Sequence, residues 1–350
     1  MEKQKRDSSL LAADQTVAKW AKKLQPRLSS VCGDTETILS WKKRTSGTLH
    51  RMLGLTNRSR SVQFRPIDVR RQGTLLVSRI LVIPSDESVW EAVIMEPASR
   101  DKKRPAWLCL HGCIPGGMAA VTGLVNGSPE GKRSQKQYAC DYALQLANQG
   151  YVTMSFHFPG FGSRGSGAEL GALPSNDWIL SAMMLGKNYL GWCVSDAQTA
   201  LSVLKNWPTV KADKIGAVGF SMGGTVSALL AATDPRVKAV AISGRFPSWQ
   251  ERIVRGEPVS QGAIACIPGF LTQLDIPDLL AAIAPTPLFI SQEVRKDPLQ
   301  SRQYLAKVCR VYRTLNAARQ LKIYYDQAPC HRFVGDPLYQ WISGLWTPSC

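Results

Sequence analysis

No apolar run in the sequence reaches the roughly 18–20 residues that a membrane-spanning helix needs. Residues 1–10 are charged and lack the apolar core of a signal peptide. A mitochondrial presequence is disfavoured because the acidic residues Glu2, Asp7 and Asp14 stand among the basic ones. We therefore expect a soluble, cytoplasmic protein that is not exported and has no membrane partner.

The cysteines lack the spacing of metal ligands or of a redox pair. The sequence has nine, with no CxxC pair and no Cys/His cluster at metal-binding intervals. An odd number cannot pair completely, so reduced thiols in a cytoplasmic compartment are the simplest interpretation. We expect no metal site.

Charged residues are also scarce, at 20% of 350 residues, while hydrophobic residues make up 44%. Such a chain can bury a sizeable core as one large domain or two modest ones. The net charge of +17 would suit a nucleic-acid partner, but the basic residues are dispersed and form no aromatic-interleaved stripe. We therefore expect no nucleic-acid partner.

The first 60 residues are interpreted as a helical extension, and residues 61–350 as the main domain. Apolar residues recur at helical spacing from Leu10 to Leu24, and a second helix is predicted from about Thr37 to Leu53. The first helix presents an amphipathic face that includes Trp20, through which the chain could form a homo-oligomer.

The main domain has the pattern of an α/β fold. Two strands, Leu75 to Ile83 and Val89 to Met95, flank a turn and predict an antiparallel entry to a sheet. After Pro105, short apolar runs alternate with amphipathic helices, which predicts a mostly parallel, doubly wound sheet. The strands are predicted at Ala106–Leu110, Tyr151–Phe156, Ile215–Phe220, Val237–Ser243, Pro287–Ser291 and Leu321–Tyr325. Helices are predicted at Gln137–Gln149, Cys193–Trp207, Thr225–Ala232 and Arg302–Leu315.

Three stretches interrupt this alternation, near residues 119–134, 160–191 and 246–284. Each is rich in glycine and proline and follows a predicted strand or helix. Long insertions at strand ends usually build lids or pocket walls, so we expect them to shape a binding site.

The strongest local motif is a GxSxG sequence, residues 219–223, between the strand ending at Phe220 and a helix. In a nucleophile elbow the serine sits on a strained turn, and side chains at the flanking Gly219 and Gly223 would collide with the backbone. Ser221 is thus the predicted nucleophile. The N–H of Met222, at the helix N-terminus, is the predicted oxyanion donor.

A second glycine-rich loop, His111-Gly112-Cys113, follows the strand Ala106–Leu110 directly. In folds of this type the corresponding loop supplies the other oxyanion donor, here the backbone N–H of Cys113. The thiol of Cys113 would then have no catalytic role, and His111 would anchor the loop by hydrogen bonding.

Histidine is rare, and the positions of the four residues favour one as the general base. His50 lies in the N-terminal extension, His111 in the oxyanion loop, and His157 at a strand end before Pro159. His331 follows the last predicted strand, as the chain order Ser…acid…His requires.

The acid is expected after the strand Pro287–Ser291, where the loop offers Glu293 and Asp297. Asp297 is preferred because it precedes a turn-forming proline, a position that suits a fixed, buried carboxylate. Glu293 is the alternative acid and would otherwise be a solvated or structural group.

From about Trp41 onwards the chain resembles the acetylxylan-esterase and dienelactone-hydrolase-like branch of the α/β-hydrolases. The resemblance rests on His111-Gly112, Gly191-Trp192 with Asp196, Lys214–Gly216, Gly219–Gly224, Ala232–Val237, Pro268-Gly269, Asp278-Leu279, Ala284–Leu288 and His331–Phe333. It implies that Ser221, Asp297 and His331 form the catalytic triad. Two departures from the family pattern surround the acid: Glu293 replaces a usual glycine, and the following loop is one residue longer.

Together these features predict a serine hydrolase that cleaves a small or medium acyl ester, with a small-molecule substrate and no metal or organic cofactor. The same triad also serves thioesterases, peptidases, acyltransferases and C–C hydrolases, which remain alternatives. A non-catalytic binding protein with this fold is a further alternative.

Overall fold

The computed structural model describes residues 13–29, 33–55, 62–84, 88–99, 101–125, 129–165, 176–259, 262–294, 298–328 and 330–346. The first elements within these described ranges are the helices α1 (Ala13–Lys23) and α2 (Thr35–Leu53). Helix α2 begins where the Asp34 carboxylate accepts a hydrogen bond from the N–H of Thr37 at 2.9 Å. It ends at Gly54, whose φ of 65° closes the helix in the left-handed conformation.

Nine strands form one sheet in the order β1-β2-β3-β5-β4-β6-β7-β8-β9. The pairs β1–β2, β2–β3 and β3–β5 are antiparallel, and the remaining pairs are parallel. The strands are β1 (Gln63–Gln72), β2 (Leu75–Ile83), β3 (Trp90–Pro97), β4 (Arg104–Leu110), β5 (Val152–Phe156), β6 (Val210–Phe220), β7 (Ala239–Gly244), β8 (Leu288–Glu293) and β9 (Leu321–Asp326). This confirms the antiparallel entry and the mostly parallel sheet predicted from the sequence.

Helices lie on both faces of the sheet, and apolar clusters fill the space on each side. Strands β4, β5 and β7 are buried along their whole length, which explains why they read as continuous apolar runs rather than as alternating patterns. The helices after β4 are α3 (Gly117–Thr122), α4 (Pro129–Tyr138), α5 (Tyr142–Asn148), α6 (Asn176–Met184), α7 (Tyr189–Asn206), α8 (Met222–Thr233), α9 (Trp249–Val254), α10 (Phe270–Gln273), α11 (Ile276–Ala282), α12 (Pro298–Thr314) and α13 (Asp336–Leu345).

The single helix predicted over Gln137–Gln149 is wrong, because the chain breaks there into α4 and α5. Ala139 adopts a φ of 49°, in the left-handed region, and a right-handed helix cannot continue through such a residue. After the break, α5 packs against β3, β4 and β5. Tyr138 at the end of α4 contacts the ring of His331.

The predicted insertions contain short helices. The segment 246–284 holds α9, a 3₁₀ turn at Gly262–Ala265, α10 and α11. Among the described residues, no single helix is long and apolar enough to cross a membrane. The segments Gly262–Gln273 and Ile276–Ala282 meet the length and composition only when combined across a 79° bend.

Candidate active site

Ser221 occupies the turn between β6 and α8 in a strained backbone conformation. Its φ of 55° and ψ of −119° lie where L-residues other than glycine are rarely found. The N–H of Ser221 donates to the Ser243 carbonyl at 2.8 Å, and its own carbonyl accepts from the N–H of Thr225 at 3.1 Å. The surrounding backbone therefore holds the turn in the geometry of a nucleophile elbow.

The two glycines of the GxSxG motif are required by close backbone packing. A Cβ at Gly219 would lie 2.2 Å from the carbonyl of Gly223. A Cβ at Gly223 would lie 1.9 Å from the carbonyl oxygen of Leu110 at the end of β4. These distances confirm the steric reason for glycine at both positions.

The predicted oxyanion loop lies directly against the elbow. A Cβ at Gly112 would lie 2.9 Å from the Phe220 carbonyl and 3.2 Å from the Ser221 Cβ. The thiol of Cys113 approaches the thioether sulfur of Met222 at 3.3 Å, so the two segments predicted to supply the oxyanion donors are neighbours. Burial raises the pKa of Cys113 to about 12, which keeps its thiol protonated at neutral pH.

His111 anchors this loop as a neutral imidazole. Its Nδ1 donates to the Gly112 carbonyl at 2.7 Å, while Nε2 accepts from the N–H of Phe158 at 3.0 Å. Burial, followed by the proximity of His157, lowers the pKa of His111 to about 3. Both ring nitrogens are thus engaged with the backbone, which leaves this histidine in a structural position.

His331 lies in the loop between β9 and α13 and faces the elbow. The loop is held by the N–H of Phe333, which donates to the Tyr138 carbonyl at 2.7 Å, and by the N–H of Val334, which donates to the Ser243 hydroxyl at 3.0 Å. The imidazole stacks on the Phe220 ring with 4.6 Å between centroids. These contacts fix the orientation of the ring.

Gly244 shows how closely His331 and Ser221 approach. A Cβ at this position would lie 3.4 Å from His331 Cε1 and 3.4 Å from Ser221 Cα. Cε1 is bonded to Nε2, the nitrogen that a general base would direct at the serine hydroxyl. Gly244 has a φ of 137°, so both its conformation and the available space favour glycine.

The carboxylate that meets His331 is Glu293, the alternative acid of the sequence prediction. His331 Nδ1 donates a hydrogen bond to Glu293 Oε1. Glu293 is the last residue of β8 and is only 6% exposed. If it were not the acid, it was expected to be a solvated or a structural group, and its burial excludes the solvated environment. Asp297, the preferred acid, lies in the segment 295–297, outside the described residues.

The two other histidines lie apart from this arrangement. His50 donates through Nδ1 to the Ser46 carbonyl within α2. His157 accepts at Nδ1 from the N–H of Met118, and burial lowers its pKa to about 4. Within the described parts of the chain, no group of three or more His, Cys, Asp or Glu side chains could hold a metal ion.

A cavity of about 510 Å³ opens above the elbow. Ser221, Met222, Cys113, Glu293 and His331 line its floor, and residues 247–265 contribute much of its wall. The sequence analysis expected the insertion near 246–284 to shape a site, but it did not single out Arg245 or Arg252, which also line the cavity. For Arg245, the sequence feature that could have indicated this position is its place immediately after a buried strand.

The sequence profile of the Abhydrolase family matches residues 1–331. The chain belongs to this α/β-hydrolase family. The match includes α1 and the start of α2, which the resemblance noted from about Trp41 onwards had not covered.

Known proteins agree with the family assignment. The chain is 24% identical over 192 residues to YtaP of Bacillus subtilis (strain 168), described as a hydrolase; this spans 54% of the chain and 60% of YtaP. A Bacteroides fragilis NCTC 9343 structure described as an acetyl xylan esterase superposes with a TM-score of 0.80 at 18% identity, covering 96% of this chain and 95% of that one. A glucuronoyl esterase from Solibacter usitatus gives a TM-score of 0.63 at 15% identity, with coverages of 93% and 97%. By family the protein is an α/β-hydrolase, and it shares the fold of these two structures, which confirms the resemblance to the acetylxylan-esterase branch noted in the sequence.

Proposed function

We propose that the protein is a serine carboxylic ester hydrolase whose triad consists of Ser221, His331 and Glu293. The observation that carries the proposal is the hydrogen bond from His331 Nδ1 to Glu293, on a histidine packed beside the strained turn of Ser221. Glu293 replaces Asp297 as the acid because His331 has one Nδ1–H to donate, and the Glu293 carboxylate accepts it.

In the proposed reaction, His331 Nε2 takes the proton of the Ser221 hydroxyl as its Oγ attacks the ester carbonyl. The C–O bond to the alcohol then breaks, and the imidazolium returns the proton to the leaving oxygen. Water, activated by the same imidazole, attacks the acyl-enzyme and releases the acid. Glu293 holds the imidazole in the reactive tautomer and stabilises its cation.

The negative charge of each tetrahedral intermediate would be bound by the N–H groups of Cys113 and Met222. Met222 is the first residue of α8, so its N–H has no acceptor inside the helix and points along the positive end of the helix dipole. Donors that are fixed before the reaction stabilise the charge without reorganisation, which is often the largest catalytic contribution. The mechanism uses protein groups throughout and requires no metal or organic cofactor.

We further propose an acyl group of small or medium size, in the manner of an acetylesterase. The cavity of about 510 Å³ falls in the size range of small-molecule sites, and its wall includes the apolar side chains Leu190, Trp249 and Ile264. Thioesters, amides and C–C substrates would use the same nucleophile and are the alternatives that an experiment must separate.

The test offers the purified protein p-nitrophenyl acetate, an acyl thioester and an aminoacyl amide in parallel. We expect the oxygen ester to be cleaved fastest, and Ser221→Ala to lose activity by several orders of magnitude while retaining its fold. A fluorophosphonate probe should label the wild type but not the variant. Labelling that persists in Ser221→Ala would remove this serine from the mechanism, and faster thioester or amide cleavage would reassign the substrate class.

A further inference from the structure

Two arginines project into the wall of the catalytic cavity. Arg245 directly follows Gly244, the residue that touches both Ser221 and His331, and Arg252 lies on α9. Both side chains line the cavity, together with Ser221. The reaction proposed above gives neither arginine a role.

The charges of these arginines are only partly balanced. Glu257 Oε2 lies 3.4 Å from Arg245 Nη2 and 3.7 Å from Arg252 Nε, so one carboxylate serves two guanidinium groups. Glu293, the other carboxylate lining the described part of the cavity, is engaged with His331. Among the described residues that line the cavity, the two guanidinium groups therefore exceed the carboxylate available to them by one positive charge.

Arg252 also has unused hydrogen-bonding capacity. Its Nε is buried and has no hydrogen-bond acceptor within the described residues, since Glu257 lies beyond hydrogen-bonding distance. A buried donor without an acceptor is destabilising unless a ligand supplies one. Burial, followed by the nearby charge of Arg245, lowers the pKa of Arg252.

Arg252 is held in place by the start of α9. Ser248 caps the helix by accepting from the N–H of Glu251 at 3.1 Å, and the N–H of Trp249 donates to Asp275 Oδ1 at 2.8 Å. Arg252 lies three residues after Trp249, so both side chains share one face of the helix and line the same cavity. The part of the cavity wall that carries Arg252 is therefore fixed by hydrogen bonds.

From this arrangement we infer that the protein selects esters carrying a carboxylate, which Arg245 and Arg252 bind while Ser221 attacks the ester carbonyl. A single carboxylate matches the one unbalanced positive charge, and its two oxygens suit the fork of a guanidinium group. The inference rests on the proposed ester hydrolysis, and it names the substrate class that the cavity favours.

The test compares matched esters that differ in one carboxylate. On the acyl side these are mono-p-nitrophenyl adipate and p-nitrophenyl hexanoate; on the alcohol side they are 4-carboxyphenyl acetate and phenyl acetate. In at least one pair, Arg252→Gln should lower kcat/KM for the carboxylated ester by roughly 10- to 100-fold, the loss expected for a hydrogen bond to a charged group. The same variant should leave kcat/KM for the neutral ester of that pair about unchanged. Arg245→Gln should act in the same direction.

Arg252→Lys and Arg255→Gln provide the controls. Lysine keeps the charge but loses the planar fork, so its effect should lie between those of wild type and glutamine. Arg255 follows α9, is exposed and does not line the cavity, and its substitution should change neither ester. Thermal melting of each variant excludes unfolding as the cause.

The outcomes separate this inference from the proposed function. If Ser221→Ala still hydrolyses the neutral esters, the catalytic proposal fails. If hydrolysis depends on Ser221 but the arginine variants affect neutral and carboxylated esters equally in both pairs, the catalytic proposal stands and carboxylate selection is wrong.

Discussion

The imidazole of His331 donates from Nδ1 to the carboxylate of Glu293, the residue that ends β8. Strand β8 pairs in parallel with β9, and Glu293 stands opposite Asp326. The loop that follows β9 therefore returns His331 to the edge at which β8 ends. The strand itself, rather than a loop, positions the proposed acid.

Glu293→Gln should strongly reduce turnover. The amide retains size and can still accept a hydrogen bond, but it removes the charge that stabilises the imidazolium. The analogous change in a Ser-His-Asp triad costs about 10⁴ in kcat. Steady-state kinetics with p-nitrophenyl acetate would measure the loss. Asp297→Asn is the matched comparison and should cost little. If Asp297→Asn loses most of its turnover and Glu293→Gln is nearly as active as the wild type, the acid is Asp297.

The nucleophile and its surroundings were accessible from sequence because their constraints are local. Gly219 must lack a side chain because a Cβ there would lie 2.2 Å from the carbonyl of Gly223, inside the same motif, so the motif carries its own structural reason. His331 could be selected because three other histidines occupied positions that did not fit the chain order. These predictions required no knowledge of long-range packing.

The acid was harder to predict because its identity depends on where β8 ends. Glu293 and Asp297 are four residues apart, and a shift in the strand boundary decides which faces the histidine. The sequence placed the strand end at Ser291, whereas the structure extends it to Glu293. Arg252 was missed for a similar reason: its position in the cavity wall depends on how the segment 246–284 folds back over the site.

The N-terminal helix should stabilise the wall of the cavity. Gln250 Nε2 on α9 donates to the carbonyls of Ala21 and Leu24, each at 2.8 Å. Gln250→Glu replaces this donor with a carboxylate that faces two carbonyl oxygens, so we expect a loss of about 1–3 kcal/mol in the free energy of unfolding. Urea titration would measure it. Gln149→Glu, at an exposed position, is the control; equal effects would rule out a specific role for this contact.

Oligomerisation through the same helix remains a prediction. Val17 and Trp20 on α1 are 44% and 68% exposed, which leaves apolar surface available for a second copy. Trp20→Ala should shift the protein from dimer to monomer in size-exclusion chromatography with light scattering, without changing ester hydrolysis. A wild-type protein that is monomeric at all concentrations would refute assembly through α1.

The free energy of unfolding should fall on acidification because buried histidines such as His157 resist protonation in the folded state. The ordinary imidazole pKa is 6.5, but burial lowers it to about 4 for His157. Between these values the unfolded chain binds the proton and the folded chain does not. The contribution of neutral His157 is therefore complete above about pH 6.5 and is lost as the pH falls, at about 1.4 kcal/mol per unit.

His157→Asn tests this sign. Asparagine does not titrate and can accept the hydrogen bond from the N–H of Met118. Between about pH 7.5 and about pH 5.5, the wild type should lose about 1.4 kcal/mol more than the variant, as measured by urea unfolding. Parallel pH profiles for the two proteins would show that His157 does not carry the effect.

Removing one partner of the buried ion pair Arg164–Asp196 should destabilise the fold more than removing both partners. Arg164 Nη1 lies 2.6 Å from Asp196 Oδ2, and the two side chains are 9% and 3% exposed. The guanidinium also contacts the rings of Trp90 and Trp192, at 5.9 and 5.8 Å from their centroids. Asp196→Asn leaves this cation buried without its counter-charge, so we expect a loss of about 3–5 kcal/mol in unfolding free energy. The double variant Arg164→Met with Asp196→Leu removes both charges and should recover a large part of that loss, because the rings of Trp90 and Trp192 can pack against apolar side chains there. A double variant as unstable as Asp196→Asn would show that the ion pair itself, rather than the unpaired charge, determines stability at this position.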